Sequence, residues 1–278
     1  MLLTACDEKY LQEAKILIKS CAKHEPSQHF HLFLVNTPQK YDTVIHSWHP
    51  HINIEHVTWP YDVKNWRGIM CSARSIPIQK VLETSREPTI YLDSDTIIRK
   101  PLTELFHLLE KADLLVKYRP ELEHFGVAGT KHASKFNSGV IAVRPSEIGL
   151  RFAQTYNKLL REFINSGSPI VAYRAEHHVN VYADQELLFV AYLQLQDQIK
   201  FQALPNKFND AQFKKDSVIW HGKGTAREHP HYIKEKLYYT NKLLFHLFSI
   251  YVVLWDILRA IKHTITIKKN NKQPDKQV

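Results

Sequence analysis

Apolar residues in this chain fall into short runs separated by stretches of helical periodicity. Residues 2–5 form a compact apolar run, after which Leu11, Ala14, Leu17 and Ile18 repeat at three and four positions. That spacing predicts a helix to about residue 22, opened by Asp7 and Glu8, acids that suit the positive end of a helix dipole. Strands are expected over 29–35 and 52–57. A helix is expected over 68–84, kinked or restarted at Pro77, since proline removes a ladder donor. A buried strand then begins at residue 89, a helix covers 102–110, and strands cover 113–117 and 138–143. Helices over 147–164 and 184–195 and short strands over 200–204 and 217–220 complete the pattern. Strands alternating with helices at this spacing predict an α/β fold with a mostly parallel sheet flanked by helices, its ligands at the carboxyl ends of the strands.

The stretch Thr-Ile-Tyr-Leu-Asp-Ser-Asp-Thr, ending at Thr96, concentrates the candidate chemistry. Residues two apart on an extended chain point the same way, so the carboxylates of Asp93 and Asp95 converge where the strand leaves the sheet. Two such anions repel one another, and a divalent cation relieves that repulsion. A solvated turn with two acids is the plain alternative.

With its context, this segment resembles the DxD segment of nucleotide-sugar glycosyltransferases of the GT-A fold, particularly glycosyltransferase family 8. The resemblance runs over residues 1–225 through five motifs in order, and it implies roles for the residues that match. Asp93 and Asp95 would hold a metal, with Ser94 at the donor between them. Asp7 and Tyr10 have the spacing of a base-binding Asp and a stacking Tyr, although a helix-opening Asp and a packed Tyr explain them as well. Arg74 matches an arginine that reaches toward the donor; a surface arginine is the alternative. Phe136-Asn137-Ser138-Gly139 matches a strand opening in which Asn137 and Ser138 sit against the donor sugar or the acceptor; a plain turn before a strand is the alternative. Asp184 and Gln185 match a helix start that places an acid on sugar hydroxyls and an amide beside the anomeric carbon, and Asp184 is also a good N-cap.

His221-Gly222-Lys223 matches a late segment in which the histidine is the third metal ligand and the glycine and lysine hold the diphosphate. Its spacing is compressed here, and no Lys-Pro-Trp follows. Two carboxylates, an imidazole and diphosphate oxygens suit manganese somewhat better than magnesium. The adjacent Glu176, His177 and His178 read as structural, because neighbours on one element chelate poorly. The activity implied is transfer of a hexose from a nucleotide sugar, UDP by preference, to a saccharide or lipid-linked acceptor with retention of configuration. A haloacid-dehalogenase-type phosphatase also places DxD after an apolar strand, and a membrane-attached protein keeping an inactive fold is a third reading. A pyrophosphorylase is excluded, for it needs a glycine-rich N-terminal loop and no glycine precedes Gly68.

Charge divides the 278 residues unevenly. The net charge is +9, yet from Lys214 onward 13 lysines and arginines face 5 acids, which leaves the rest nearly neutral. That argues against a nucleic-acid partner and for a tail that meets an anionic surface. A helix expected over 232–262 carries the apolar run Leu-Leu-Phe-His-Leu-Phe-Ser-Ile-Tyr-Val-Val-Leu-Trp, with lysines on both sides. It reads as too short and too charged to span a bilayer, and as a helix lying on an anionic membrane or packed on protein. The expected organisation is a catalytic domain over 1–225, a basic and apolar helical appendage over 226–269, and a disordered polar tail over 270–278. Three cysteines without metal spacing, and no secretion signal, point to a reducing compartment: the cytoplasm, at the inner face of a membrane.

Overall fold

The computed structural model describes residues 1–58 and 73–270. The chain divides into two compact units, Met1–Lys223 and Gly224–Val278. The start of the helix expected from residue 68, together with Cys71 and the tail beyond residue 270, lies outside the described residues.

The first unit is built on a seven-stranded sheet. In chain order its strands are β1 (Leu2–Cys6), β2 (Phe30–Val35), β3 (Ile52–Val57), β4 (Thr89–Leu92), β6 (Leu114–Tyr118), β7 (Phe136–Val143) and β10 (Phe201–Ala203). They lie side by side as β10-β6-β7-β4-β1-β2-β3. Only β7 runs antiparallel to its neighbours β4 and β6, so the sheet is mostly parallel as expected. Alternate residues serve opposite faces. Leu3, Ala5, Phe33, Val35, Tyr91 and Val143 pack against α2 (Ser75–Thr84), α4 (Glu147–Asn165) and α5 (Ala183–Leu193). Leu2, Cys6, Leu32, Leu34, Ile90 and Leu92 pack against α1 (Leu11–His24) and α3 (Thr103–Lys111). A strand buried on both faces needs apolar side chains at every position, which is why these strands read as continuous runs.

Three local features bear on the pattern-based reading: the first agrees with a restart near Pro77, and the other two depart from the reading. The helix containing Pro77 begins at Ser75, so the proline occupies the first turn, where its missing N–H has no intrahelical partner to lose. Thr96–Ile98, read as passage toward a helix, forms β5, which pairs antiparallel with β11 (Ile219–His221) in a separate two-stranded sheet. Val171–Arg174 and Val179–Tyr182 form a hairpin, β8 and β9, with Glu176, His177 and His178 exposed near its tip.

In the second unit, the single helix expected over 232–262 is two. Helix α6 spans Pro230–Thr240, and α7 spans Lys242–Asn270. Asn241 separates them with an extended backbone, and its side-chain oxygen accepts from the Leu244 amide at 3.0 Å, capping α7. Helix α7 has 29 residues, and the most apolar 18-residue window within Lys242–Lys262 has a mean hydropathy of 1.7. The expectation that this segment is too short and too charged is therefore overturned: by length and composition it suffices to cross a bilayer.

Candidate active site

The two candidate metal carboxylates sit at the exit of β4. The Asp93 amide donates to the Gly139 carbonyl of neighbouring β7 at 2.9 Å, which fixes the strand end against the sheet. The chain then turns, with the Thr96 amide and hydroxyl both donating to the Asp93 carbonyl, and enters β5. Pairing of β5 with β11 puts His221 opposite Thr96. The Gly222 amide closes the corner on the Asp95 carbonyl at 2.9 Å. The short strand unnoticed in the sequence thus carries a histidine from late in the chain to the DxD turn.

Asp93, Asp95 and His221 each offer a ligand atom, all within 4.8 Å of one another. His221 Nε2 stands 3.6 Å from Asp93 Oδ2 and 3.4 Å from Asp95 Oδ1. The other ring nitrogen, Nδ1, lies 2.9 Å from Asn209 Oδ1, an acceptor, so Nδ1 carries a proton and Nε2 is the nitrogen turned toward the carboxylates. That is the orientation a metal ligand needs. Burial holds the Asp93 carboxyl above its usual range; Arg74 and His221 pull it back, while Asp95 and Asp184 push it up. Oxygen, oxygen and imidazole donors around a penalised anion fit a divalent cation of the manganese or magnesium kind.

Arg74, immediately before α2, is buried rather than on the surface. Its guanidinium donates to the Ser138 carbonyl at 2.8 Å and pairs with Asp93 at 3.2 Å and Asp184 at 3.6 Å. The Ser138 hydroxyl donates to Asp184 Oδ2 at 3.0 Å, whereas the buried Asp184 Oδ1 has no hydrogen-bond partner among the described residues. Asp93, Asp95, His221, Arg74, Ser138 and Asp184 thus form one assembly.

The remaining candidates stand at different distances from that assembly. Gln185, half-buried, accepts from Arg119 at 3.3 Å. Asn137 lies behind His221, its side-chain oxygen accepting from the Gly139 amide at 3.1 Å and from Asn209 at 2.9 Å. Ser94 is half-buried in the turn between the two acids. Asp7 and Tyr10 follow β1, which runs parallel to β4, so they leave the sheet at the same edge as Asp93. Asp7 accepts from the Tyr10 amide at 3.1 Å, the helix-opening contact. Lys223 is exposed, and the Gly222 amide is taken by Asp95.

Sequence reasoning missed Asn209 and Glu186. Glu186 is fully buried, and its carboxylate accepts from the Ala128 and Thr130 amides at 2.8 Å each and from the Thr130 hydroxyl at 2.7 Å. It ties the 119–135 segment to the helical turn that carries Asp184 and Gln185. A Cβ at Gly126 would fall 1.8 Å from that carboxylate, so a side chain there would have to displace it. Its position next to Asp184 and Gln185 was the one available hint, and Asn209 offered none.

Neither a family model nor a curated protein sequence matches the chain. Solved structures do. A complex of the galactosyltransferase LgtC with donor and acceptor sugar analogues is 17% identical, covers 80% of this chain and 87% of its own, and gives a TM-score of 0.53. The apo glycosyltransferase GlyE of Streptococcus pneumoniae TIGR4 is 18% identical over 100% of this chain and 65% of its own, with a TM-score of 0.56. The apo bifunctional glycosyltransferase WbbM is 12% identical over 89% of this chain and 50% of its own, with a TM-score of 0.53. The chain has the GT-A glycosyltransferase fold. In this fold the β4 exit, the β5–β11 pair and the start of α5 meet at one edge of the sheet, where the assembly around Asp93 lies.

Proposed function

We propose that this chain is a metal-dependent glycosyltransferase of the family 8 kind. It moves a hexose from a nucleotide sugar, UDP-linked, to a saccharide or lipid-linked acceptor with retention of configuration, in cell-surface glycan assembly. The observation that carries the reading is the convergence of two carboxylates on Nε2 of a histidine whose Nδ1 is held from behind. Asp93, Asp95 and His221 hold manganese, which offsets the charge that builds on the diphosphate leaving group. Arg74 holds Asp93 and Asp184 in place and adds positive charge beside the donor. Asp184 Oδ1, buried and unpaired, accepts a sugar hydroxyl; a buried acceptor left empty costs about 1–3 kcal/mol, so filling it favours the bound sugar. Gln185, steadied by Arg119, stands beside the anomeric carbon. Asp7 and Tyr10 take the base at the same edge of the sheet, and Ser94 and Lys223 contact the donor phosphates. The solved structures of similar fold are glycosyltransferases, and none supports the phosphatase reading.

The reading includes a cytoplasmic, membrane-bound enzyme. Helix α7 presents Leu243, Leu247, Ile250, Leu254, Leu258 and Ile261 exposed, with lysines at its start and beyond Ile261. An anionic bilayer surface matches both features. Co-sedimentation with anionic vesicles, lost on deletion from Leu243 onward, supports this; unchanged binding by the truncated chain defeats it.

Thermal unfolding tests the donor site, with UDP, GDP and CMP in turn, each with and without manganese. A nucleotide at about 100 times its dissociation constant adds roughly 2.7 kcal/mol of stability. The reading requires a manganese-dependent shift with UDP that disappears in Asp95→Ala. No shift with any nucleotide would overturn it.

A further inference from the structure

The hydrogen bonds behind His221 form a directed chain whose sense is set by one backbone group. The Gly139 N–H can only donate, and it points at the Asn137 side chain from 3.1 Å. Asn137 must therefore turn its oxygen, not its NH2, toward Gly139. That same oxygen lies 2.9 Å from Asn209, so Asn209 presents its NH2 to Asn137 and has only its own oxygen left for His221. This oxygen, 2.9 Å from His221 Nδ1, demands a proton there and turns Nε2 toward the two carboxylates. Each link removes one choice of orientation from the next.

The surroundings hold the chain in register. Asn137, Asn209 and His221 are all buried. Lys117 Nζ donates to the Asn209 carbonyl at 3.1 Å, and the His221 amide donates to the Asp210 carbonyl at 2.8 Å. The imidazole lies against Gly139 so closely that a Cβ there would fall 2.2 Å from Cε1 and 2.4 Å from Nδ1. Gly139 thus both starts the chain and leaves room for the ring that ends it.

We propose that Asn209 and Asn137 are positioning residues that set the tautomer and ring orientation of His221 as a metal ligand. This rests on the metal-site reading above, yet it is separable from it, because the tautomer exists in the metal-free chain.

The first test is a long-range proton–nitrogen NMR correlation on histidine-labelled, metal-free protein at neutral pH, with His221 assigned by its loss in His221→Gln. The expected result is a proton fixed on Nδ1 in the wild type. Asn209→Ala is expected to give the Nε2–H form or a mixture. The second test is titration with Mn2+ alone, read by electron paramagnetic resonance. Loss of an orienting partner costs about 10- to 100-fold in metal affinity, so Asn209→Ala and Asn137→Ala should each weaken binding by that factor. Asn137→Asp keeps an oxygen for both donors and should bind Mn2+ as the wild type does. An Nε2–H ring in the wild type would overturn the proposal, as would an Asn209→Ala protein that binds Mn2+ undiminished. So would an Asn137→Asp protein as impaired as Asn137→Ala. Should the wild type bind no Mn2+, the metal-site reading fails, and the wild-type tautomer, which needs no destabilised variant, decides the positioning chain by itself.

Discussion

Helix α4 and helix α7 both repeat apolar residues three and four apart, yet α4 buries its stripe while α7 covers only part of its own, around Val252, and leaves the rest exposed. In α4, Phe152, Tyr156, Leu160 and Ile164 face the sheet and are buried, while Arg151, Gln154, Lys158 and Arg161 are exposed. In α7, Leu243, Leu247, Ile250, Leu254, Leu258 and Ile261 keep half or more of their surface in contact with solvent. The first helix has a polar face for water and an apolar face for a core, which is the pattern that folding into a single domain rewards. The second has apolar residues where a soluble helix would be charged, and its lysines gather at its ends. The difference separates a helix whose apolar stripe is built into a core from one that leaves most of its apolar residues exposed.

The charges of the two regions differ in the same way. Around Asp93 they are buried and paired within the assembly, so each change has large consequences. Substituting Asp95→Ala should abolish manganese-dependent nucleotide binding and turnover, measured by calorimetry and a donor-hydrolysis assay, while vesicle binding through α7 persists. Turnover in that variant without added metal would break the contrast at once.

Within the cores, Phe152→Ala should destabilise the first unit by about 3–5 kcal/mol, since it removes a fully buried ring from α4 and leaves a cavity. Urea unfolding measures this directly. Asp113→Asn should cost less, about 1.5–3 kcal/mol at neutral pH. Burial alone would raise the Asp113 carboxyl, but hydrogen bonds from Ser146, the Lys200 amide and Arg144 outweigh it and hold the group below its ordinary value. A depressed carboxylate contributes stability that is complete above its unfolded pKa of about 3.9 and disappears as pH falls through the lower folded value. The wild type should accordingly lose stability more steeply than Asp113→Asn below about pH 4, as followed by acid titration of the unfolding midpoint.

The smallest effect sharpens the comparison most. Leu247→Ala in α7 should leave stability within about 0.5 kcal/mol, because the side chain is already 58% exposed. Leu247→Glu should leave the unfolding midpoint equally unmoved and yet lower the fraction of protein that sediments with anionic vesicles. A large loss of stability from Leu247→Ala would show that this face of α7 is covered by protein, and the distinction between the helices would fall.

Much of this was legible in order along the chain. Apolar runs located β1 to β4, β6, β7 and the helices between them, because strands buried on both faces leave an unbroken apolar signature. The convergence of Asp93 and Asp95 was expected from the two-residue repeat of an extended chain, and a turn through Ser94 and Asp95 brings it about instead. Other features left little trace. Thr96 to Ile98 is only three residues long and becomes a strand through a partner late in the sequence, so local pattern could not separate it from a loop. The hairpin of β8 and β9 is half-exposed and lacks an apolar run. Asn241 ends one helix and caps another, a role that depends on backbone conformation rather than residue type.

What the sequence determined alone is therefore the alternation of elements, the DxD turn and the asymmetry between a nearly neutral domain and a basic apolar tail. Each of these is local, written into residue types a few positions apart. Tertiary structure alone decided that His221 faces the carboxylates with its Nε2, that Arg74 is buried among Asp93, Asp184 and Ser138, and that Asn209 stands behind the histidine. These depend on strand pairing and on the direction of single hydrogen bonds between segments far apart in the chain, which no spacing of residues records.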